Sequence, residues 1–375
     1  MSTVLIGTTD VVARAKKNFS ALAFLGEYTP VIKDVWTVLD RPWSNLAFEL
    51  GWALEAIPAG EHGKLKIELT DAQRTALVPL LAKMPFFRGC ELRGGKYDEL
   101  HVTGAKFQAM VNRIRFVRGR IAKGEKNARD KVEIGRWVGM FGQRPRTDWQ
   151  DGKVEEIYAN LSDAVKQHPW VIAQMELEHR LRREIIESDE FAYSTGYDPS
   201  QHDTEWRGAF ATEFELGILA FIIAYDGDVR VGEYVPSHED LPELPGVPKH
   251  MVASCTIYLS DGTPVVVLNA PAVIRAKGAP RPTTDSGTQY WLKFYAPVKG
   301  ARIVCVSGKT HWYRVIGDYE RRVHNSHPDA LIFGMSESAG ANPEAVLNNA
   351  LAELVWLMQK GYNEIMSELT GQPIG

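Results

Sequence analysis

Three cysteines in 375 residues, Cys90, Cys255 and Cys305, are too few and too far apart for a disulfide framework, and no CxxC pair offers a structural zinc cluster. Reduced thiols are the expected state. No apolar run approaches the 18 residues of a membrane helix; the longest, LGILAFIIAY, is ten residues and ends at Asp226. The N-terminus MSTVLIGTTDVVARAKK has no basic segment before its short apolar stretch and no small-residue cleavage site, so it does not read as a secretory signal. A protein without membrane contact, in the cytoplasm, is expected. GxGxxG, GxSxG, HExxH and EF-hand spacings are all missing. Glycine (32) and proline (20) are not in excess, which excludes collagen-like and low-complexity chains. Nor is there charge of one sign: 43 Lys/Arg against 47 Asp/Glu give −4, so bulk charge names no polyanionic partner.

What is present is an ordinary globular composition, 45% hydrophobic and 24% charged, with an ample aromatic share that includes ten tryptophans. Periodicity predicts an α+β protein: a mainly helical N-terminal half with small strand insertions, and a β-rich C-terminal half closed by a long C-terminal helix. Four regions follow: a helical region over 1–200, an acidic connector over 201–249, an antiparallel β region over 250–335, and the helix over 342–370.

In the first region KLKIEL (64–69) alternates as a strand, and Thr70 or Asp71 caps a helix over 72–84. CELRGGKYDELHV (90–102) reads as a hairpin turning near Gly94-Gly95. Phe107, Met110, Val111, Ile114, Val117 and Ile121 form one stripe of a helix. Further helices are expected at about 152–167 and 170–188. AFIIAYDGDVRVGEYV (220–235) suggests two strands around Asp226-Gly227, followed by a linker with four prolines (236–249). The β-rich runs are ASCTIYLS-DG-TPVVVLN, QYWLKFYAPV, ARIVCVSG and HWYRVIG. Asn342-Pro343 opens the last helix, with Leu347, Leu351, Leu354, Met358, Ile365 and Leu369 on one side as core or as an oligomer contact.

Charge is segregated along the chain. Residues 106–146 hold twelve Lys/Arg against three acids, a net +9; residues 201–249 carry −7 and residues 275–322 carry +7. Two basic tracts point to a localised anionic partner. On the helix carrying the apolar stripe, Arg113, Arg115, Arg118 and Arg120 are expected to project outward. Lys123 and Lys126 lead into GRWVGMFGQRPR, where Arg136, Arg144 and Arg146 interleave with Trp137. Guanidinium groups grip phosphate bidentately. As a strand, QYWLKFY sets Trp291, Lys293 and Tyr295 on one face, alternating aromatics with a cation as a base-stacking surface requires. HWYRV repeats the pattern with Trp312 and Arg314, and Lys309 precedes it. A plain alternative accompanies each tract: a solvated basic helix, and a sandwich buried on both faces.

Several catalytic patterns are weaker. VSGKTHW has GKT after a strand, but a phosphate-binding loop needs glycine five residues before Gly308, and Ile303 stands there. His324, His327 and Asp329 in HNSHPD read as a capped turn more readily than as metal ligands. Asp226-Gly227-Asp228 after an apolar run fits a metal-dependent glycosyltransferase, or a nuclease together with Glu213, Glu215 and Glu233. Against this, Asp-Gly is a common turn, and the N-terminal half shows no strand–helix alternation typical of a nucleotide-binding sheet.

Chain size, reduced cysteines, slightly acidic total charge and the Trp/Tyr/Lys segments QYWLKFY and HWYR together resemble the phage single-stranded DNA-binding proteins that act as RNA polymerase cofactors. That resemblance implies cooperative binding of unpaired DNA, homo-oligomers, recruitment of a phage RNA polymerase to promoters, and residence in a host bacterial cytoplasm. It carries over no individual residue. The expected function is non-enzymatic single-stranded DNA binding with little sequence preference and no cofactor. The competing classes are the metal-dependent transferase or nuclease at Asp226/Asp228 and a non-catalytic assembly protein.

Overall fold

The computed structural model describes residues 21–40, 69–84, 92–125, 130–147, 151–187, 209–238, 250–274, 281–308, 311–336 and most of 347–358. It is an α+β protein, about half helical, built on a seven-stranded mixed sheet. In chain order the elements are α1 (Ala21–Val38), α2 (Asp71–Leu81), β1 (Gly95–Thr103), α3 (Phe107–Glu125), β2 (Val132–Gly142), α4 (Val154–Ala159), α5 (Asp163–Lys166) and α6 (Pro169–Glu187). There follow α7 (Glu213–Ala224), β3 (Val229–Pro236), β4 (Val252–Leu259), β5 (Pro264–Ala270), α8 (Thr284–Phe294), β6 (Arg302–Val306), α9 (Trp312–His324) and β7 (Leu331–Met335). Helical residues within 347–358 close the described chain.

The strands lie in the order β3-β4-β5-β2-β1-β6-β7. β5, β2, β1, β6 and β7 run parallel to one another, while β4 is antiparallel to β5 and β3 is antiparallel to β4 at one side of the sheet. After β1 the chain first steps to β2 on one side; later it returns to β6 on the other and continues outward to β7. Strand order therefore reverses between β1 and β6.

Both faces of the sheet are covered, as a parallel sheet requires. Strand alternation sorts the side chains. Leu100, Val102, Val304, Val306, Val265 and Val267 pack with α3 and α7; Ile303, Cys305, Val138 and Leu268 pack with α1, α2, α8, α9 and the last helix. Leu347, Leu351 and Leu354 are buried in that second core, so this part of the C-terminal stripe is spent within the chain. Ile365 and Leu369 lie outside the described residues.

Local signals explain several elements. Thr70 caps α2 in a reciprocal box with Gln73. In α3 the predicted stripe Phe107, Met110, Val111, Ile114 and Val117 is buried. β4 and β5 form the expected hairpin about Asp261-Gly262.

Other expectations are corrected. Residues 95–103 are not half of a hairpin but a central strand whose partners β2 and β6 are parallel to it. GRWVGMFG is not a basic loop but β2, with Trp137, Val138, Met140 and Phe141 buried. Its glycines mask the strand pattern because neighbours approach closely: a Cβ on Gly142 would lie 2.4 Å from the Ala270 carbonyl. The unit β1-α3-β2 thus supplies strand–helix alternation in the first half. AFIIAY is not a strand but the C-terminal part of α7 and its cap, the helix ends being marked by the Thr212–Glu215 capping box and a turn at Tyr225-Asp226-Gly227. Almost every α7 residue is buried, so no polar face reports its helical period. QYWLKFY and HWYRVIG are helical, in α8 and α9, rather than strands. Of the 250–335 region, β4 and β5 are antiparallel, whereas β6 and β7 join the parallel array. Among the described residues no helix is long and apolar enough to cross a membrane.

Candidate functional site

In an open sheet of this kind, ligands occupy the crevice beyond the carboxyl ends of the strands at the point where strand order reverses. Here that point lies between Thr103-Gly104-Ala105-Lys106, after β1, and Ser307-Gly308, after β6. Thr103 Oγ1 donates to the Val306 carbonyl at 2.8 Å and ties the two strand ends together.

Arg113, one and a half turns into α3, reaches back to this end. Its Nη1 donates to the Thr103 carbonyl (2.5 Å), to Thr103 Oγ1 (2.9 Å) and to the Gly104 carbonyl (2.9 Å). Its Nη2 would stand 2.9 Å from a Cβ placed on Gly308 and makes no hydrogen bond among the described residues, so this edge of the guanidinium faces the β6–α9 loop. Burial pushes its pKa down to about 10, partly opposed by the Glu213 carboxylate. The group stays charged at neutral pH, and an anion at Nη2 would offset its lost hydration.

The floor on the β2 side is a buried ion cluster. Arg144 Nε donates to Glu213 (2.8 Å), Nη1 and Nη2 grip both Asp151 oxygens (3.0 and 3.1 Å), and Nη2 also reaches the Ala105 carbonyl. Asp151 additionally accepts from the Phe107 amide at 3.0 Å. A carboxylate thus already occupies the positive N-terminal end of α3. Gly104 packs so tightly on Glu213 that a Cβ there would fall 1.8 Å from Oε1. Desolvation raises the Glu213 pKa, with Arg144 pulling it back.

On the β6 side, α9 begins at Trp312 and carries no side-chain cap at His311. The His311 Nδ1 faces the carboxylate of Glu353 from the last helix, which also pairs with Arg314 (3.2 Å). The opposite ring edge faces Gly308: Cδ2, bonded to Nε2, would lie 3.5 Å from a Cβ there. Arg113 and His311 therefore border the same small volume. At the start of α9 the His311 and Trp312 amides both donate to the Gly308 carbonyl (3.1 Å each).

A second polar cluster lies deeper on β1. Glu99 Oε2 bonds His101 Nε2 (2.9 Å), Glu99 Oε1 pairs with Arg136 Nη2 (2.5 Å), and His101 Nδ1 meets the Tyr319 hydroxyl (3.3 Å). Burial would raise the Glu99 pKa, but the bond and charge of His101 and the charge of Arg136 hold it below the usual carboxylate value. Glu99, His101 and Tyr319 are all buried, which makes this cluster part of the core.

The proposed nucleic-acid contacts are dispersed. Trp137, Trp291 and Trp312 are buried, so none presents a face for stacking. Trp137 meets Phe221 edge-on; Trp291 meets His101. Arg118 donates to the Ala224 carbonyl (2.6 Å), Arg120 binds the Leu92 and Asp130 carbonyls, and Arg146 binds the Gly152 carbonyl. Arg136 lies over Tyr295, whose hydroxyl bonds Ser254, and Arg314 lies over Trp356. Buried carbonyls at helix and strand ends need donors, and these arginines supply them. Arg115, Lys123 and Lys293 are exposed, on two separate helices. Lys126 and Lys309 lie outside the described residues. Of the predicted set, Arg113, Arg144 and Arg314 gather around the crevice. Thr103, Asp151, His311 and Glu353 complete it and were not foreseen, although His311 follows the noted GKT; Glu213, weighed as a nuclease carboxylate, is instead the buried partner of Arg144.

The other candidates resolve locally. Asp226 and Asp228 sit in the turn between α7 and β3; Asp226 accepts from Ser162 Oγ at 2.9 Å. His324 Nε2 bonds the Ala330 carbonyl, and His327 bonds Ser326. Among the described residues no three His, Cys, Asp or Glu side chains are grouped to hold a metal ion. Cys255 and Cys305 are free and buried, with desolvation raising both thiol pKa values, that of Cys255 to about 12.

No protein-family model matches the chain, and no curated protein matches it.

Proposed function

We propose that the protein binds a phosphate-bearing small molecule, a nucleotide, in the crevice between the ends of β1 and β6. The observation that carries this reading is Arg113: a desolvated guanidinium at the reversal point, anchored through Nη1, with Nη2 beside Gly308 of the β6–α9 loop and without a hydrogen bond among the described residues. Three further features support it. The strand order places the crevice where parallel sheets bind nucleotides. The positive N-terminal end of α9, where His311 provides no side-chain cap, favours an anion there. The α3 end is already filled by Asp151, which directs a phosphate to the β6 side.

Single-stranded DNA is a less favoured ligand, because the stacking surface on which it rested is buried. The test is a thermal-shift panel of mono-, di- and triphosphate nucleotides alongside oligo-dT. The nucleotide reading expects saturable stabilisation by nucleotides that is lost in Arg113→Met while that variant's own melting temperature stays within a few degrees. Stabilisation by oligo-dT alone, or nucleotide binding unchanged in Arg113→Met, would overturn it.

A further inference from the structure

Resting on the nucleotide reading of this crevice, we infer that the site is catalytic: His311, oriented by Glu353, is the general base for hydrolysis of a bound nucleoside triphosphate. The two ring nitrogens of His311 have different surroundings. Nδ1 faces two groups, the Glu353 carboxylate and, at 3.3 Å, Arg314 Nη2, a donor that pairs with the same carboxylate. With the closer carboxylate as its hydrogen-bond partner, the neutral imidazole carries its proton on Nδ1. Nε2 then carries the lone pair, and it makes no hydrogen bond among the described residues. Glu353 is buried (side chain 4% exposed) while His311 is 30% exposed, so the carboxylate is fixed inside the protein and the ring reaches the mouth of the crevice. This is the arrangement in which a carboxylate sets the tautomer and direction of a proton-accepting histidine.

Arg113 borders the same space through Nη2. A phosphoryl group held there lies beside the imidazole, with access for water from the exposed side. In the step, Nε2 takes a proton from water as its oxygen forms a bond to the terminal phosphorus. The bond from that phosphorus to the bridging oxygen breaks, and its electron pair leaves with the nucleoside diphosphate. The guanidinium faces charge gathering on the phosphoryl oxygens. The proton then passes from Nε2 to solvent. A phosphoanhydride is the substrate class selected by this chemistry, because its leaving group departs as a phosphate anion and one base suffices. His311 is the catalytic residue; Glu353 acts through it and is a positioning residue.

The experiment measures ATP affinity and phosphate release in parallel, in magnesium buffer made with ¹⁸O-labelled water. The intact protein is expected to release phosphate carrying one labelled oxygen. His311→Gln should lower kcat by about 100-fold or more, the range of a lost general base, with ATP affinity kept within about threefold. Glu353→Gln should lower kcat with little change in KM and shift the His311 ring ¹⁵N resonances away from the Nδ1-protonated pattern; Glu353→Asp should recover part of the rate. ATP that binds without being hydrolysed, or a His311→Gln rate within threefold of the parent, would overturn the catalytic role and leave the binding reading standing. Failure of ATP to bind would overturn both.

Discussion

Replacing Trp291 with alanine separates two incompatible accounts of the QYWLKFY segment. As a surface strand residue, its loss would abolish base stacking and leave the fold intact. In the structure its side chain is fully buried on α8, with the indole edge-on to His101 at 4.5 Å in the core shared by α8, α9 and the sheet. Truncating a buried tryptophan removes its transfer free energy and leaves a cavity that neighbours fill only in part, a cost of about 3–5 kcal/mol. At about 1.4 kcal/mol per factor of ten, the folded-to-unfolded ratio falls by roughly two to three and a half powers of ten. The loss would also free the His101 ring, which Trp291 and Tyr319 confine. Guanidinium titration followed by far-ultraviolet circular dichroism reads the change directly. A loss below about 1 kcal/mol, accompanied by weakened oligonucleotide binding, would refute the packing argument and restore the stacking role.

Gly104→Ala should cost about 2–4 kcal/mol, because its Cβ would displace the Glu213 carboxylate and break the buried Arg144 pair; a melting temperature unchanged within one degree would contradict this. Glu99→Gln tests the deeper cluster through pH. The folded-state pKa of Glu99 is held below its ordinary value of 4.5, so the stability it contributes is complete above that pH and is lost as pH falls through the lower, folded value. The stability difference between the parent and Glu99→Gln should be flat from pH 7 to 5 and shrink below 4.5; a difference that grows toward pH 3 would show the opposite shift.

Much of the scaffold was legible where one local signal dominates. Thr70 with Gln73 marks the start of α2, the Phe107-to-Val117 stripe marks α3, and Asp261-Gly262 marks the β4–β5 turn. The failures share a physical cause, burial that erases periodicity. α7 is apolar all round, and β2 sits at the sheet centre with glycines where backbones touch. QYWLKFY alternates well enough for a strand, but Thr283 and Ser286 form a capping box just ahead of it, and the aromatic residues divide between the core and the surface of a helix. The site was less legible than the scaffold. His311 and Glu353 are 42 positions apart and meet only because the last helix folds against α9. The basic tract was visible, but most of its arginines serve internal carbonyls, a use that charge counting does not distinguish from phosphate contact.

The claim on which the account turns is that Arg113 holds a nucleotide phosphate, and isothermal titration of the protein and its Arg113 variants with ATP at two salt concentrations tests it most directly. The account predicts one site per chain, weakened at higher salt, abolished in Arg113→Met and only partly restored in Arg113→Lys, since an ammonium lacks the fork that bonds β1 and the phosphate at once. Equal affinity in the parent and Arg113→Met, with both proteins folded, would contradict it.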